Sequence, residues 1–174
     1  MVAKIQVDLL ILGMGAAGQL AALYAHEVNP ELRILIVSKA LKGKGGCSRM
    51  VQGGFNVVLN PQDSHEKHFM DTLKGGQYIN NQELAKTLVE QATPTIKELE
   101  TKFGCFFDRN PDGTIHQKPF AGQSFDRTVH KGDLTGIEII NRLTEQIMKR
   151  EIPVLEEHRA VELLLDSQGE VVTG

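Results

Sequence analysis

Two short apolar runs, Leu9–Leu12 and Arg33–Val37, flank a stretch rich in small and aliphatic residues that includes Leu20, Ala21, Ala22, Leu23 and Ala25. A continuous apolar run of strand length is what a parallel strand buried on both faces requires. The pattern therefore predicts a strand, a helix and a second strand with a right-handed crossover, Leu9–Leu12 lying centrally in the sheet. Further along, Asp63 to Leu73 reads as helical, and Asn81 is placed to cap a helix from Gln82 to Gln91. Pro94 suits the first turn of another helix reaching Lys102. Leu84, Leu88, Ile96 and Leu99 fall at spacings that make one buried stripe. Asn110-Pro111-Asp112-Gly113 marks a turn between Cys105–Phe107 and Thr114–Gln117, as in a hairpin. A helix from Leu134 to Arg150 is expected to turn Ile137, Ile140, Leu143, Ile147 and Met148 inward. Val154-Leu155 then begins a strand, and Val161–Leu165 is expected to pair with Val171-Val172 across Ser167–Glu170. The sum is an α/β fold with a small antiparallel addition.

The first apolar run ends in Gly13-Met14-Gly15-Ala16-Ala17-Gly18, a Gly-x-Gly-x-x-Gly turn between strand and helix. Gly13 suits a sharp turn, Gly15 lets a pyrophosphate approach the backbone, and Gly18 lets the helix pack closely on the strand. The helix amino terminus offers unpaired amides to phosphate oxygens. This is a dinucleotide-binding opening. The second run ends in Ser38-Lys39, where an acidic residue would bind ribose hydroxyls in an NAD-type site, so a nicotinamide cofactor is disfavoured. The glycine-dense basic loop Lys42–Gly54 follows. Taken by composition, it reads equally as a surface connection.

Composition narrows the classes. The 174 residues are 41% hydrophobic and 24% charged with a formal net charge of −3, an ordinary globular mixture without the basic face a nucleic-acid binder needs. Cys47 and Cys105 show no metal-type pairing, which fits a reducing, cytoplasmic setting. No apolar run approaches the roughly 20 residues of a membrane helix. His65, His68, His116, His130 and His158 lack the spacing of a ligand set, so no metal is assigned and they read as surface or supporting histidines. Asp71 and Lys74 read as a solvated helix pair. Asp133 or Thr135 reads as the cap of the following helix.

Five elements occur in one order: Gly13–Gly18, Val37-Ser38-Lys39, Met50-Val51-Gln52-Gly53-Gly54, His68–Gly75 and Phe120-Ala121-Gly122-Gln123-Ser124. In these the chain resembles the flavoprotein subunits of the succinate dehydrogenase, fumarate reductase and L-aspartate oxidase family. The resemblance implies a Rossmann-like FAD-binding domain. FAD would be held by Gly13, Gly15, Ala16, Ala17, Gly18, Ser38, Lys39, Gly46, Cys47, Ser48, Gln52, Gly53 and Gly54. Gln52, Gly53 and Phe120 would approach the flavin face where a C4 dicarboxylate is held; for Phe120 the alternative is a core aromatic. Amides of the glycine-rich loop would stabilise the negative charge of a reduced flavin.

Two departures from the family pattern matter. Its respiratory members carry, five residues before Gln-Gly-Gly, a histidine bonded covalently to the flavin, and here that residue is Cys47. The expectation is noncovalent FAD, with Cys47 either a small buried thiol or, less simply, a thioether to the ring. The resemblance also implies capping and helical domains that bring the proton donor and carboxylate-binding residues. Residues 1–174 are therefore expected to be the amino-terminal portion of an incomplete FAD-binding domain, without catalytic residues, inactive alone and weak in FAD affinity. The expected activity of the parent protein is hydride transfer between FAD and succinate, fumarate or a related dicarboxylate, with an iron-sulfur subunit as electron partner and membrane association only through such a partner. His130-x-x-Asp133-x-Thr135-Gly136 resembles an element of the aspartate oxidase branch, which keeps L-aspartate oxidase as the alternative. A noncatalytic nucleotide-binding module, dimerising across an open sheet edge, is a third reading.

Overall fold

The computed structural model describes residues 4–172. In chain order the elements are β1 (Leu9–Leu12), α1 (Ala16–Val28), β2 (Ile34–Val37), a 3-10 turn (Cys47–Met50), β3 (Phe55–Asn56), α2 (His65–Gly75), α3 (Gln82–Thr101), β4 (Gln117–Lys118), β5 (Thr128–Val129), α4 (Thr135–Lys149) and β6 (Val154–Leu155). They divide into two compact units. The first holds the residues up to 49 and those from 143 onward, the second residues 50–142.

The first unit is built on a parallel sheet of order β1-β2-β6. β2 is its centre, as four consecutive β-branched or leucine residues suggest, and Ile34, Leu35 and Ile36 are all buried. The sequence places β1 there instead. It lies at the edge of the sheet among the described residues, pairing only with β2 (Leu9↔Ile34 to Leu12↔Val37), so Leu10 and Leu12 stay 44% and 52% exposed. Arg33 is outside the strand. Its guanidinium grips Asp8 at 2.6 Å and its amide donates to the same carboxylate at 2.9 Å, fixing the register where the two strands begin. These bonds, the side-chain ones first, hold the exposed Asp8 carboxyl at about 2. α1 buries Gln19, Ala22 and Leu23.

The second unit holds α2 packed on α3 and an antiparallel sheet of order β3-β5-β4. Ser64 caps α2, its hydroxyl accepting from the Lys67 amide, and Asn81 caps α3 by accepting from the Leu84 amide. Sequence predicts two helices where α3 runs unbroken through Pro94. Proline removes one helical hydrogen bond and crowds the preceding turn, but Val89 and Ile96 are fully buried on either side, and that burial outweighs one lost bond. The buried stripe is Ala85, Val89, Ile96 and Leu99; Leu84 and Leu88 are 68% and 62% exposed. The stripe is rotated by one residue from the leucine-based expectation because the small Ala85, not a leucine, faces inward.

α4 begins in the second unit and ends in the first. Ile140, Leu143 and Ile147 are fully buried as expected, whereas Met148 is 61% exposed, one position past the stripe. The hairpin at 105–117 narrows to a bridge between Arg109 and Ile115, and the Val161–Leu165 pairing to the bridge Leu165↔Val172. No described helix is long and apolar enough to cross a membrane.

Candidate functional site

In the first unit the glycine turn is built almost entirely from backbone. Gly13 sits at φ +105° with its amide donating to the Val37 carbonyl at 2.8 Å, tying the turn to the end of β2. A Cβ at Gly18 would lie 2.2 Å from the Gly13 carbonyl oxygen and 3.3 Å from Ile11, so α1 starts this close to β1 only because Gly18 has no side chain. Gly15 is the amino-terminal cap and supplies no side-chain acceptor. Buried Gln19 braces the turn, donating to the Met14 carbonyl at 3.2 Å and accepting from the Thr144 hydroxyl at 3.1 Å.

Gly13, Met14, Gly15, Ser38, Lys39, Ala40, Leu41, Gly43, Gly45 and Gly46 line one cavity of about 210 Å³. It joins the turn to the end of β2 and the basic loop. That loop is an ordered wall: the Lys42 amide donates to Glu156 at 2.5 Å and Arg49 donates to the Gly43 carbonyl at 2.9 Å. The Ser48 hydroxyl accepts from the Ala16 amide at 3.3 Å, at the first turn of α1. Cys47 is exposed, which corrects the expected buried thiol: the 3-10 turn it opens has no buried residue and gives it no apolar pocket. Ala17 is exposed on the first turn of α1.

The donor set fits an FAD diphosphate. Amides at a helix amino end, a backbone that approaches without Cβ atoms and the Lys39 ammonium are the groups such an anion needs.

In the second unit, Phe120 is 60% exposed, so it is no core aromatic. Its ring lies against Gly53, where an added Cβ would be 3.3 Å from Phe120 Cε2. Gly54 packs directly under the Val129 carbonyl. Gln52 is exposed, and its carbonyl accepts from the Thr135 hydroxyl at 3.2 Å, a hydroxyl that also accepts from the Lys131 amide at 3.0 Å. Thr135 thus ties the Gln52 segment to the residues before α4.

Sequence reasoning missed Arg127, whose side chain is 1% exposed. Its guanidinium donates to Asp63 at 2.5 and 2.7 Å and to Asp71 at 2.5 Å. Asp71 is therefore no solvated partner of Lys74. Its carboxylate also accepts from the amide and hydroxyl of Ser124 at 2.8 and 2.7 Å. Burial alone would raise the Asp71 carboxyl, but the hydrogen bonds from Arg127 and Ser124 outweigh it and bring it to about 2. Asp63 is lowered by the same contest. The available signal is an arginine in an apolar-flanked stretch, Phe125-Asp126-Arg127-Thr128-Val129, since a buried guanidinium requires carboxylate partners.

Of the histidines read as surface or supporting residues, His68 and His130 are buried, at 3% and 9% exposed. Burial lowers the His68 imidazole, and nearby Arg127 adds to the effect. His130 Nε2 is 2.7 Å from His116 Nδ1, and Asp108 stands 3.2 Å from its other nitrogen. Burial first, then Lys118, lowers the His130 imidazole. Among the described residues no group of three or more histidines, cysteines or carboxylates is arranged to hold a metal.

The FAD binding domain family matches residues 8–174. The chain is 47% identical over 161 residues to an uncharacterized FAD-dependent oxidoreductase of Methanocaldococcus jannaschii, covering 92% of this chain and 29% of that protein. It is 40% identical over 166 residues to one subunit of the fumarate reductase (CoM/CoB) of Methanothermobacter marburgensis, covering 92% of this chain and 29% of that protein. A solved quinol-fumarate reductase with menaquinol molecules superposes with a TM-score of 0.88 at 30% identity, covering 95% of this chain and 29% of that one. The chain thus spans under a third of the length of these relatives, and others include further fumarate reductase flavoprotein subunits and L-aspartate oxidases. The glycine turn, its cavity and the match along nearly the whole sequence agree: this chain belongs to the FAD binding domain family.

Proposed function

We propose that this chain forms the FAD-cradling, amino-terminal portion of an oxidoreductase of the fumarate reductase and succinate dehydrogenase type, acting on a C4 dicarboxylate. The observation that carries the reading is the cavity joining Gly13, Gly15, Ser38, Lys39 and Gly46 at the amino end of α1. When bound, FAD supplies the flavin ring that exchanges hydride with the dicarboxylate. The chain's own residues bind and orient. The α1 amides and Lys39 hold the diphosphate, Ser48 aligns the first helical amide, and Gly43, Gly45 and Gly46 keep side chains out of the way. Gln52 and Gly53, with Phe120 against Gly53, form the surface offered to the dicarboxylate.

FAD is held without a covalent bond. Cys47 stands where the respiratory family members carry their flavin-linked histidine, and it is exposed in a short 3-10 turn. Acid precipitation of the FAD-loaded protein should leave a colourless pellet and yellow supernatant; a yellow pellet would overturn this. Titration of flavin fluorescence with this chain should show saturable binding, and a flavin signal that does not change would overturn the cradle.

An iron-sulfur subunit is the proposed electron partner, which places the protein in the cytoplasm or at a membrane through that partner. Homodimerisation at the β1 edge is the competing association, and light scattering separates the two. The second reading is L-aspartate oxidase, favoured by His130-x-x-Asp133-x-Thr135-Gly136. Fumarate-dependent oxidation of a reduced dye by the whole protein supports the first reading. Aspartate-dependent oxygen uptake supports the second.

A further inference from the structure

We propose that Arg127 is a positioning residue for this site: through Asp71 and Ser124 it sets the 120–124 loop so that Phe120 lies across Gly53. The inference rests on the flavin and dicarboxylate reading above and deepens it. Phe120 is 60% exposed, so packing into a core does not hold it. Its loop is held at the far end instead. The Ser124 amide and hydroxyl both donate to Asp71, and Arg127 Nη2 donates to the Ser124 hydroxyl at 3.3 Å. The Arg127 amide donates to Gln123 Oε1 at 3.1 Å, and Gln123 Nε2 reaches Asn56 at 2.6 Å and Thr128 at 2.9 Å. Both residues that close the loop are thereby fixed to α2, β3 and β5. Between them and Phe120 lie only Ala121 and Gly122, the latter at φ +82°.

The energetics point the same way. A buried guanidinium with two carboxylates is a poor way to gain stability, since desolvation consumes most of the attraction and an apolar replacement of the group often does as well. What such a cluster provides is direction, because the planar fork of arginine fixes the carboxylates it grips. Asp63 anchors the guanidinium, leaving Nη1 to orient Asp71, and Asp71 in turn receives the loop. The chain is Asp63, Arg127, Asp71, Ser124, and then the peptide that carries Phe120.

The chain contains no tryptophan, so Phe120→Trp makes the loop the sole source of tryptophan emission. In that background, Ser124→Ala and Asp71→Asn should raise the amplitude of sub-nanosecond motion in time-resolved anisotropy about twofold. Ser124→Thr, which keeps the hydroxyl, should restore the parental value. Circular dichroism and the thermal midpoint show whether Ser124→Ala remains folded, and Asp71→Asn supplies a second reading of the same anchor. With FAD bound, quenching of the introduced indole by the flavin should be strong in the parent and in Ser124→Thr, and severalfold weaker in Ser124→Ala. Unchanged anisotropy in folded Ser124→Ala overturns the anchoring role. Loop release as described, but with bound FAD leaving the indole unquenched in every variant, overturns the flavin reading on which the role rests.

Discussion

The two units make their sites from opposite materials. In the first, the turn at Gly13–Gly18 works by omission: missing side chains let backbone approach backbone, and the cavity is lined largely by glycines, alanine and main chain. In the second, the Gly53 segment and the Phe120 loop depend on side chains, above all a buried arginine with two aspartates. The turn in the first kind of site is encoded within a few residues, although its bracing reaches from Gln19 to Thr144 and from Lys42 to Glu156. The second kind is encoded by residues more than fifty positions apart and is sensitive to every proton it binds.

The largest expected effect tests that contrast directly. Arg127→Ala leaves two buried or half-buried carboxylates without their cation and should cost about 3–5 kcal/mol in urea unfolding. If the two units differ in kind, Asp63→Asn combined with Asp71→Asn in the Arg127→Ala background should recover part of the loss.

Acid should weigh on the second unit next, since the likewise lowered Asp8 carboxyl of the first is exposed and its bonds to Arg33 are screened by solvent. The Asp71 carboxyl lies at about 2 against an ordinary 3.8, so over that range the unfolded chain binds more protons and stability falls with falling pH. The loss should be on the order of 2 kcal/mol between about pH 4 and pH 2. His68 and His130, both lowered, act in the same direction at higher pH: each contributes stability that is fully present above the ordinary histidine value and is lost as pH falls from there through the folded value. Hydrogen exchange resolved by residue should find 50–142 opening first. Equal opening of residues around α1 would break the comparison.

Gly18→Ala probes the first unit, because its Cβ meets main chain at 2.2 Å and only a shift of the turn can relieve it. FAD affinity should weaken about tenfold, roughly 1.4 kcal/mol, with the acid transition of the second unit unmoved. Ser48→Ala should have the smallest effect. Loss of the 3.3 Å bond to the Ala16 amide should cost about 0.5–1 kcal/mol and change FAD affinity only slightly, as read by flavin titration.

The same contrast explains what is legible in the sequence. Strand, turn and helix at 9–28 can be read there because glycine spacing and apolar runs act within a few residues. The edge position of β1 cannot, since Leu9–Leu12 has the composition of a central strand and only its partners determine its place. Leu84 and Leu88 mislead because hydrophobicity outweighs the small Ala85 in choosing the buried face. The Phe120 element is visible as a motif, while its anchoring by Arg127 and Asp71 is invisible because it joins residues 56 positions apart. The histidine pair escapes for the same reason: His116 and His130 meet only because β4 and β5, beside which they lie, pair with each other.

Pro94 has a mechanical consequence. It denies the Glu90 carbonyl its usual helical donor midway along α3, whose amino-terminal half carries the exposed Leu84 and Leu88 and whose other half carries the deeply seated Ile96 and Leu99. The buried stripe of Ala85, Val89, Ile96 and Leu99 nevertheless runs on across the missing bond, so side-chain packing rather than the backbone ladder carries the helix through its midpoint.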